Sequence, residues 1–275
     1  MRQARLSLLT EWRRYYLDMT KLRRFDQWVY RTNFYEMEVR QFEWDLHILI
    51  IGTLDDGIKG LAERVTKESQ YLKNKLEDAT GGYAEYLADQ HAEVWMQNSG
   101  QERFLRNMAL VALTSRLVHA LRKLSMQAEH FRPLTKHWRN RSLSEFQRIW
   151  DDASERFGID LRSHSDNIAF TEIIREVRNQ IVHDAGEANP YKTLEAAKNL
   201  PEENSRLDRS FSQKYPDYVE GVDSTAEVSV TQEQLNTHFD ASLRLVKWFA
   251  GELRSREMVW LKENLPHGQR SEFKM

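Results

Sequence analysis

The sequence contains no cysteine. Disulfide bonds, Cys-ligated zinc, iron–sulfur clusters and thiol nucleophiles are therefore excluded. Proline and glycine are also scarce, with 5 and 11 residues in a chain of 275. Together with 40% hydrophobic and 30% charged residues, this composition is typical of an ordered, soluble, helix-rich protein with a sizeable core.

Long hydrophobic runs are missing as well. The most apolar run, from Leu46 to Leu54, is far shorter than the roughly 20 residues needed to span a bilayer. Near the N-terminus, Glu11, Arg13 and Arg14 interrupt the apolar region before it reaches the length of a signal peptide. The sequence therefore predicts a cytoplasmic protein that makes no contact with a membrane.

The net charge of −2 hides an uneven distribution along the chain. Between Arg103 and Arg148, about ten Lys or Arg residues stand against two acidic ones, whereas residues 184–240 are acidic. Two interpretations remain open. The basic segment could meet a polyanion, or it could be solvated and paired internally with the acidic segment.

Strand signals are almost absent, so the sequence predicts an all-α fold. The one short β-branched alternation runs from Ala226 to Thr231. In the first third of the chain, apolar residues at helical spacing predict a long helix in an antiparallel pair or short coiled coil. The residues of this stripe are Leu54, Ile58, Leu61, Val65 and Leu72. The paired glycines of TGGY, residues 80–83, are predicted to end that helix.

The small and polar residues of QNSGQE, residues 97–102, predict a boundary between two modules. Residues 1–99 would form an N-terminal helical, coiled-coil-like module whose role the sequence does not define. Residues 100–256 would form a helical bundle, and residues 257–275 a C-terminal tail. Four of the eight tryptophans fall in the first module, and at helical spacing they are predicted to be core or interface anchors. They are Trp12, Trp28, Trp44 and Trp95.

Four helices are predicted in the second module. The first carries one continuous apolar face, in steps of three and four, and should stop at Arg132–Pro133. The residues of this face are Leu110, Leu113, Leu117, Leu121, Leu124, Ala128 and Phe131. The second helix should begin at a capping box of Ser142 and Glu145 and end before Gly158.

The third helix is predicted from about Asp166 to Asp184, and the fourth follows an irregular, acidic connection of some forty residues. Thr231 and Gln234 fit a second capping box at the start of the fourth helix. This order is that of a four-helix bundle with one long connection. A connection of this length inside a domain usually serves a function.

Several kinds of catalytic motif do not occur in the sequence. Phosphate-binding loops of the GxxxxGK[ST] or GxGxxG type, HExxH and EF-hand motifs and the GxSxG elbow of serine hydrolases are all missing. No cofactor and no metal ion is predicted for this reason.

The stretch IIREVRNQIVHDAGE, residues 173–187, is the strongest candidate for a site. Its apolar residues, Ile173, Ile174, Val177 and Ile181, would face the core. Asn179 and His183 lie four residues apart and share a face with Arg175, whereas Arg178 and His183 point about 140° apart on an ideal helix. The two converge only if the helix ends near His183 or if two copies of the helix meet.

Gly186 predicts that the helix ends near His183, because glycine commonly ends helices in a left-handed conformation. A histidine in the last turn of a helix is also close to the negative end of the helix dipole. This favours the protonated form and suits a group that takes and gives protons.

RNQIVH followed by a small residue and glycine, on the third helix of a bundle with a long connection, resembles the HEPN superfamily. The resemblance covers roughly residues 100–256 and does not extend to residues 1–99. It implies a metal-independent endoribonuclease whose site is composed of Arg178, Asn179 and His183 and assembled from two subunits of a homodimer. It also implies a role as a toxin or anti-phage effector. Residues 1–99 would then be the sensor, the oligomerisation element or the surface that restrains the nuclease, and they could bind an antitoxin or sensor partner.

In such a site, His183 would act as general base or acid while Arg178 neutralises the phosphate. Asn179 would orient the histidine or the phosphate. The RNA path would extend to Arg175 and, on the basic helix, to Arg116, His119 and Arg122. The expected products are a 2′,3′-cyclic phosphate and a 5′-hydroxyl.

Two other interpretations remain open. The chain could be a non-catalytic HEPN-like protein that binds RNA, a nucleotide or a partner protein, or a helical scaffold in which the motif is accidental. In the latter case, Asn179 and His183 would cap the helix, and Arg178 would pair on the surface with Glu176 or Asp184.

Overall fold

The computed structural model describes residues 27–130, 132, 142–187, 209–221 and 227–264. The predicted all-α fold is confirmed, because nearly all of these residues are helical. Within these ranges, no helix is both long and apolar enough to cross a membrane. The α-helices are α1 Gln27–Trp44, α2 Gly52–Glu77, α3 Gly82–Gln127, α4 Glu145–Phe157, α5 Ser165–Glu187, α6 Arg209–Lys214 and α7 Gln232–Asn264.

Shorter elements connect these helices. A π-helical segment, Asp45–Ile51, joins α1 to α2. Short 3-10 helices comprise Ala128–His130, Leu161–His164 and Pro216–Tyr218. Two short strands, β1 Val219–Glu220 and β2 Glu227–Val228, pair antiparallel. β2 lies within the one short β-branched alternation of the sequence, residues 226–231.

The described residues belong to two compact units, and each is described by itself. The first unit comprises the described residues within 1–48, 116–169 and 241–275, and the second those within 49–115 and 170–240. Both have an aliphatic core. In the first unit the fully buried side chains include Leu117, Leu121, Leu124, Ile149, Phe249 and Leu253. In the second they include Leu110, Leu113, Ile174, Val177, Val230 and Leu235.

The predicted antiparallel pairing of the first long helix is confirmed by α2 and α3 in the second unit. Gly81 adopts a left-handed backbone conformation, with φ of 62°, and reverses the chain between them. Side chains then meet in antiparallel order: Ser69 Oγ lies 2.7 Å from His91 Nε2, and Arg64 donates to Gln101 at 2.7 Å. Further along, Leu105 packs against the Cα position of Gly57.

Residues 97–102, where the sequence predicts a boundary between two modules, lie inside α3, so the helix has no break there. Ser99 donates its hydroxyl to the carbonyl of Met96, and Asn98 donates to Glu102 one turn later. Both side chains thus donate within the helix, while Asn98 Oδ1 is buried without a hydrogen-bond partner among the described residues. Gly100 costs about 1 kcal/mol in helix propensity, which a helix of this length easily absorbs.

The predicted apolar face of α3 is confirmed. Leu110, Leu113, Leu117, Leu121, Leu124 and Ala128 are all fully buried, as expected for residues spaced by three and four on one helix. The helix ends at Gln127, shortly before the predicted stop at Arg132–Pro133. Phe131 lies outside the described residues.

The capping prediction for α4 is off by two residues. Ser144, rather than Ser142, is the N-cap, and its hydroxyl accepts from the backbone N–H of Gln147 at 3.1 Å. The pattern allows either serine, and only the extended backbone at Ser144 selects between them. Gly158 follows the helix in a left-handed conformation, with φ of 63°, as predicted.

The predicted capping box of α7 is confirmed. The N–H of Thr231 donates to Gln234 Oε1 at 2.8 Å, and the N–H of Gln234 donates to Thr231 Oγ1 at 3.1 Å. Gln234 Nε2 also donates to the carbonyl of Asp217 at 2.7 Å. The glutamine therefore fixes both the start of α7 and the 3-10 helix before it.

Residues 257–264, predicted as part of a tail, continue α7 to Asn264. Glu257 is buried in the first unit, and Arg256 Nε donates to the carbonyl of Phe157 at 2.5 Å. Tertiary contacts with α4 therefore extend the helix beyond the point suggested by its sequence pattern.

A buried ion pair lies in the core of the first unit. Arg156 and Asp152, one turn apart on α4, are 3.0 Å apart, and their side chains are 2% and 0% exposed. Arg156 also donates to the carbonyl of Ser125 and stacks over the ring of Phe157. Tyr35 is buried nearby, where burial and the charge of Glu257 raise the pKa of its hydroxyl. The pair is thus embedded in a polar cluster without access to water.

We expect Asp152→Ala to lower the free energy of unfolding by about 3–5 kcal/mol, because it leaves the guanidinium of Arg156 buried without its counter-ion. Urea denaturation followed by circular dichroism would measure the change. Arg40→Ala removes one side of an exposed pair with Glu36 and should cost less than about 1 kcal/mol. Equal effects of the two substitutions would contradict a buried role for Asp152.

Candidate nucleic-acid cleavage site

Helix α5 positions the candidate residues through its buried stripe. Ile174 and Val177 are fully buried and Ile181 nearly so, as predicted, whereas Ile173 is only partly buried. Because these residues fix which side of α5 meets the core, they also fix the face that carries Asn179 and position 183. That face points away from the core stripe.

The helix does not end at Gly186, as the sequence predicts, but continues to Glu187. Glycine inside a helix costs only about 1 kcal/mol relative to alanine, so its presence does not by itself end one. Arg178 and position 183 therefore point about 140° apart along a regular helix. The backbone of one α5 alone does not bring them together. The side chain of His183 lies outside the described residues.

A contact between neighbouring side chains reduces this separation. Nη1 of Arg178 donates to Oδ1 of Asn179 at 2.9 Å. The contact draws the guanidinium towards the face of α5 that carries Asn179. Position 183 lies one turn further along that face. Asn179 therefore orients the arginine, a role that the sequence did not predict for it.

The surface ion pair between Arg178 and Glu176, weighed as an alternative, does not form. Among the described side chains, Arg178 has no acidic partner. Glu176 instead pairs with Arg175 at 3.4 Å and with Lys214 at 3.0 Å. The side chain of Asp184 lies outside the described residues. Within the described part of α5, the charge of Arg178 is therefore not neutralised by a carboxylate.

Lys214 and Tyr215 are the residues near this motif that sequence analysis missed. Burial alone would raise the pKa of Glu176, but hydrogen bonds with Tyr215 and Lys214 and the charges of Lys214 and Arg175 outweigh it and lower that pKa. The hydrogen bonds with Tyr215 and Glu176 raise the pKa of Lys214. Both groups are therefore ionised at neutral pH. No local pattern joins residues 38 positions apart, so the sequence carried no signal for this contact.

The other predicted RNA contacts lie in the first unit and are partly engaged in ion pairs. Arg116 lies 3.6 Å from Asp45, and Arg122 lies 3.9 Å from Glu145. His119 is exposed on the same helix.

In the second unit, the basic segment meets the acidic one directly. Arg103 pairs with Glu220 at 3.7 Å and also with Glu227. Arg106 donates to the carbonyl of Val230 at 2.9 Å. These contacts favour the interpretation that the basic segment is paired internally.

His238 is a second residue that sequence analysis missed. It is 6% exposed on α7, its Nε2 lies 2.8 Å from the hydroxyl of Tyr218, and its ring packs against Phe170. Burial lowers the pKa of His238 to about 4 and raises that of Tyr218. Its spacing could have indicated this burial, since His238 falls between Leu235 and Phe239 on the apolar stripe of α7.

In the described ranges, no three His, Asp or Glu side chains are placed to hold a metal ion together. Comparisons with protein-family models, with curated proteins and with solved structures find no match to this chain. The chemistry of the site must therefore be argued from its own residues.

His238 should make the stability of the protein depend on pH. Its pKa is about 6.5 in the unfolded chain and about 4 in the folded one, so the unfolded state binds more protons between these values. Stability should therefore fall as the pH drops from 6.5 to 4, by up to about 3 kcal/mol from this group. Below pH 4 the histidine is protonated in both states and contributes no further change.

Urea denaturation of the wild type and of His238→Phe across this range would measure the effect. We expect the loss of stability between pH 6.5 and 4 to be smaller in the variant, which keeps an aromatic ring against Phe170. Parallel curves for the two proteins would show that His238 does not titrate in this way.

Proposed function

We propose that the chain is an endoribonuclease of HEPN type, with Arg178, Asn179 and His183 as its site. The observation that carries the proposal is the contact of Arg178 with Asn179 at 2.9 Å. It directs a cation that has no acidic partner among the described residues towards the helix face of position 183. An arginine on the same outer face as a histidine position can meet the histidine of a second copy and hold a phosphate during proton transfer.

The cleavage proceeds by transphosphorylation within the RNA. His183 takes the proton of the 2′-hydroxyl, whose oxygen attacks the adjacent phosphorus while the bond to the 5′-oxygen breaks. The leaving 5′-oxygen takes up a proton from water, and protonated His183 returns its proton to the solvent, which leaves a 2′,3′-cyclic phosphate and a 5′-hydroxyl. Arg178 offers its planar fork to the phosphate oxygens as negative charge accumulates on them. No metal ion takes part in these steps.

The site is assembled from two copies of the chain. Because α5 continues to Glu187, the first of the two conditions for convergence, a helix end near His183, is not met. The remaining condition is a homodimer in which Arg178 of one copy faces His183 of the other. The biological role proposed is that of a toxin or anti-phage effector. Residues 1–99 are the proposed contact for an antitoxin or sensor.

His183→Ala should abolish cleavage of RNA. We expect the rate to fall by about 10²- to 10⁴-fold, the usual contribution of a general acid or base. The purified proteins would be incubated with total cellular RNA in EDTA, and the ends of the fragments mapped.

His47→Ala is the matched control, because His47 is exposed and lies in the other unit. If the wild type and His183→Ala leave the RNA equally intact, the proposed nuclease activity is refuted. If the wild type nevertheless bound RNA, the non-catalytic HEPN-like binder would be the better description.

Mixing two inactive variants tests the composite site. If each site takes Arg178 from one copy and His183 from the other, an exchanged mixture of Arg178→Ala and His183→Ala contains mixed dimers with one intact site. We expect about a quarter of wild-type activity, since half of the dimers are mixed and each carries one of two sites. A mixture that stays inactive after subunit exchange, confirmed by mass spectrometry, would place both residues in one copy.

A further inference from the structure

Two cations share one carboxylate beside the proposed site. Nζ of Lys214 lies 3.0 Å from Oε2 and 3.2 Å from Oε1 of Glu176. Nη2 of Arg175 lies 3.4 Å from the same Oε1. The three side chains together carry one excess positive charge. Lys214 is 57% exposed and Arg175 34%, so both are accessible to a ligand.

The position of Lys214 is fixed by its neighbours in the connection. Phe211 is buried, and its ring lies 5.2 Å from that of Tyr215. The N–H of Tyr215 donates to the carbonyl of Phe211 at 2.8 Å, which closes the end of α6. Nζ of Lys214 lies 5.0 Å from the centre of the Tyr215 ring. The backbone of Lys214 is therefore positioned by a packed helix end, and its ammonium contacts the ring of Tyr215.

The geometry of α5 places this cluster in line with the proposed catalytic residues. Positions 176 and 183 are seven residues apart, so they point only about 20° apart and lie about 10 Å apart along the helix axis. Asn179 lies between them on the same side of the helix. A strand of RNA whose scissile phosphate lies at position 183 of one copy would pass Arg175 and Lys214 of the same copy with a neighbouring phosphate.

We propose that Arg175 and Lys214 form a subsite for a phosphate next to the scissile one, with Glu176 as the residue that positions both cations. The inference rests on the proposed function, because it deepens the same RNA site. The guanidinium of Arg175 offers a planar pair of donors, and the ammonium of Lys214 a point charge. The long connection thus contributes one of its own residues to substrate binding.

A purely structural role for the same contacts predicts a different response to substitution. If Lys214 and Glu176 only fasten the connection to α5, removal of either partner breaks the same pair, and Lys214→Gln and Glu176→Gln should behave alike. If Lys214 binds phosphate, the two substitutions should have opposite effects. Lys214→Gln removes a cation from the subsite, whereas Glu176→Gln removes an anion that repels the phosphate.

The test measures the affinity of each variant for a 2′-O-methyl RNA oligonucleotide, which cannot be cleaved, by fluorescence anisotropy over a range of salt concentrations. We expect Lys214→Gln to weaken binding about fivefold at 0.1 M salt and to reduce the salt slope by about 0.7, the share of one phosphate contact on a single strand. Glu176→Gln should tighten binding, and Lys214→Arg should keep wild-type affinity.

The exposed pair of Lys59 and Glu63 on α2, 4.0 Å apart, supplies matched controls. Lys59→Gln and Glu63→Gln should leave the affinity unchanged. Circular dichroism would verify that every variant folds.

If Lys214→Gln and Glu176→Gln shift the affinity in the same direction, or not at all, the subsite is refuted. The nuclease would still stand if the wild type cleaves unmodified RNA. A wild type that neither binds the oligonucleotide nor cleaves RNA would refute both proposals.

Discussion

Ile174, Val177 and Ile181 can be buried on only one side of α5, and this single constraint determines where the other side chains of the helix lie. With that stripe against the core, Asn179 and position 183 belong to the opposite side. Arg178 starts close to the core edge and reaches the outer side only through its contact with Asn179. The packing of the three aliphatic residues therefore sets the orientation of α5. The amide of Asn179 then sets the direction of the Arg178 side chain.

Ion pairing determines which of the many basic residues remain available to an anion. Arg103, Arg116 and Lys123 each lie beside a carboxylate, so much of the basic character of α3 is used within the protein. Beside the motif, Arg175 and Lys214 share the single carboxylate of Glu176, and Arg178 contacts an uncharged amide. Among these described side chains, the positive charges therefore outnumber the negative one.

Much of the fold could be predicted from the sequence, because local chemistry determines it. The leucine face of α3, the left-handed turn at Gly81 and the capping box of Thr231 and Gln234 all depend on residues at most a few turns apart. Polar and glycine residues misled at residues 97–102 and at Gly186, because a single glycine costs too little to end a helix. In the site, the helix and its faces could be predicted. The contacts of Lys214 and the burial of His238 could not, since they join segments that are distant in sequence.

Gln234 accepts one hydrogen bond from the start of α7 and donates another to Asp217 in the preceding 3-10 helix. One side chain therefore links the end of the connection to the first turn of the last helix. Because only Tyr215 lies between Lys214 and that 3-10 helix, we expect a ligand that orders the lysine to stabilise the helix start as well. A ligand bound by Lys214 beside α5 would then slow the hydrogen exchange of backbone amides at the beginning of α7.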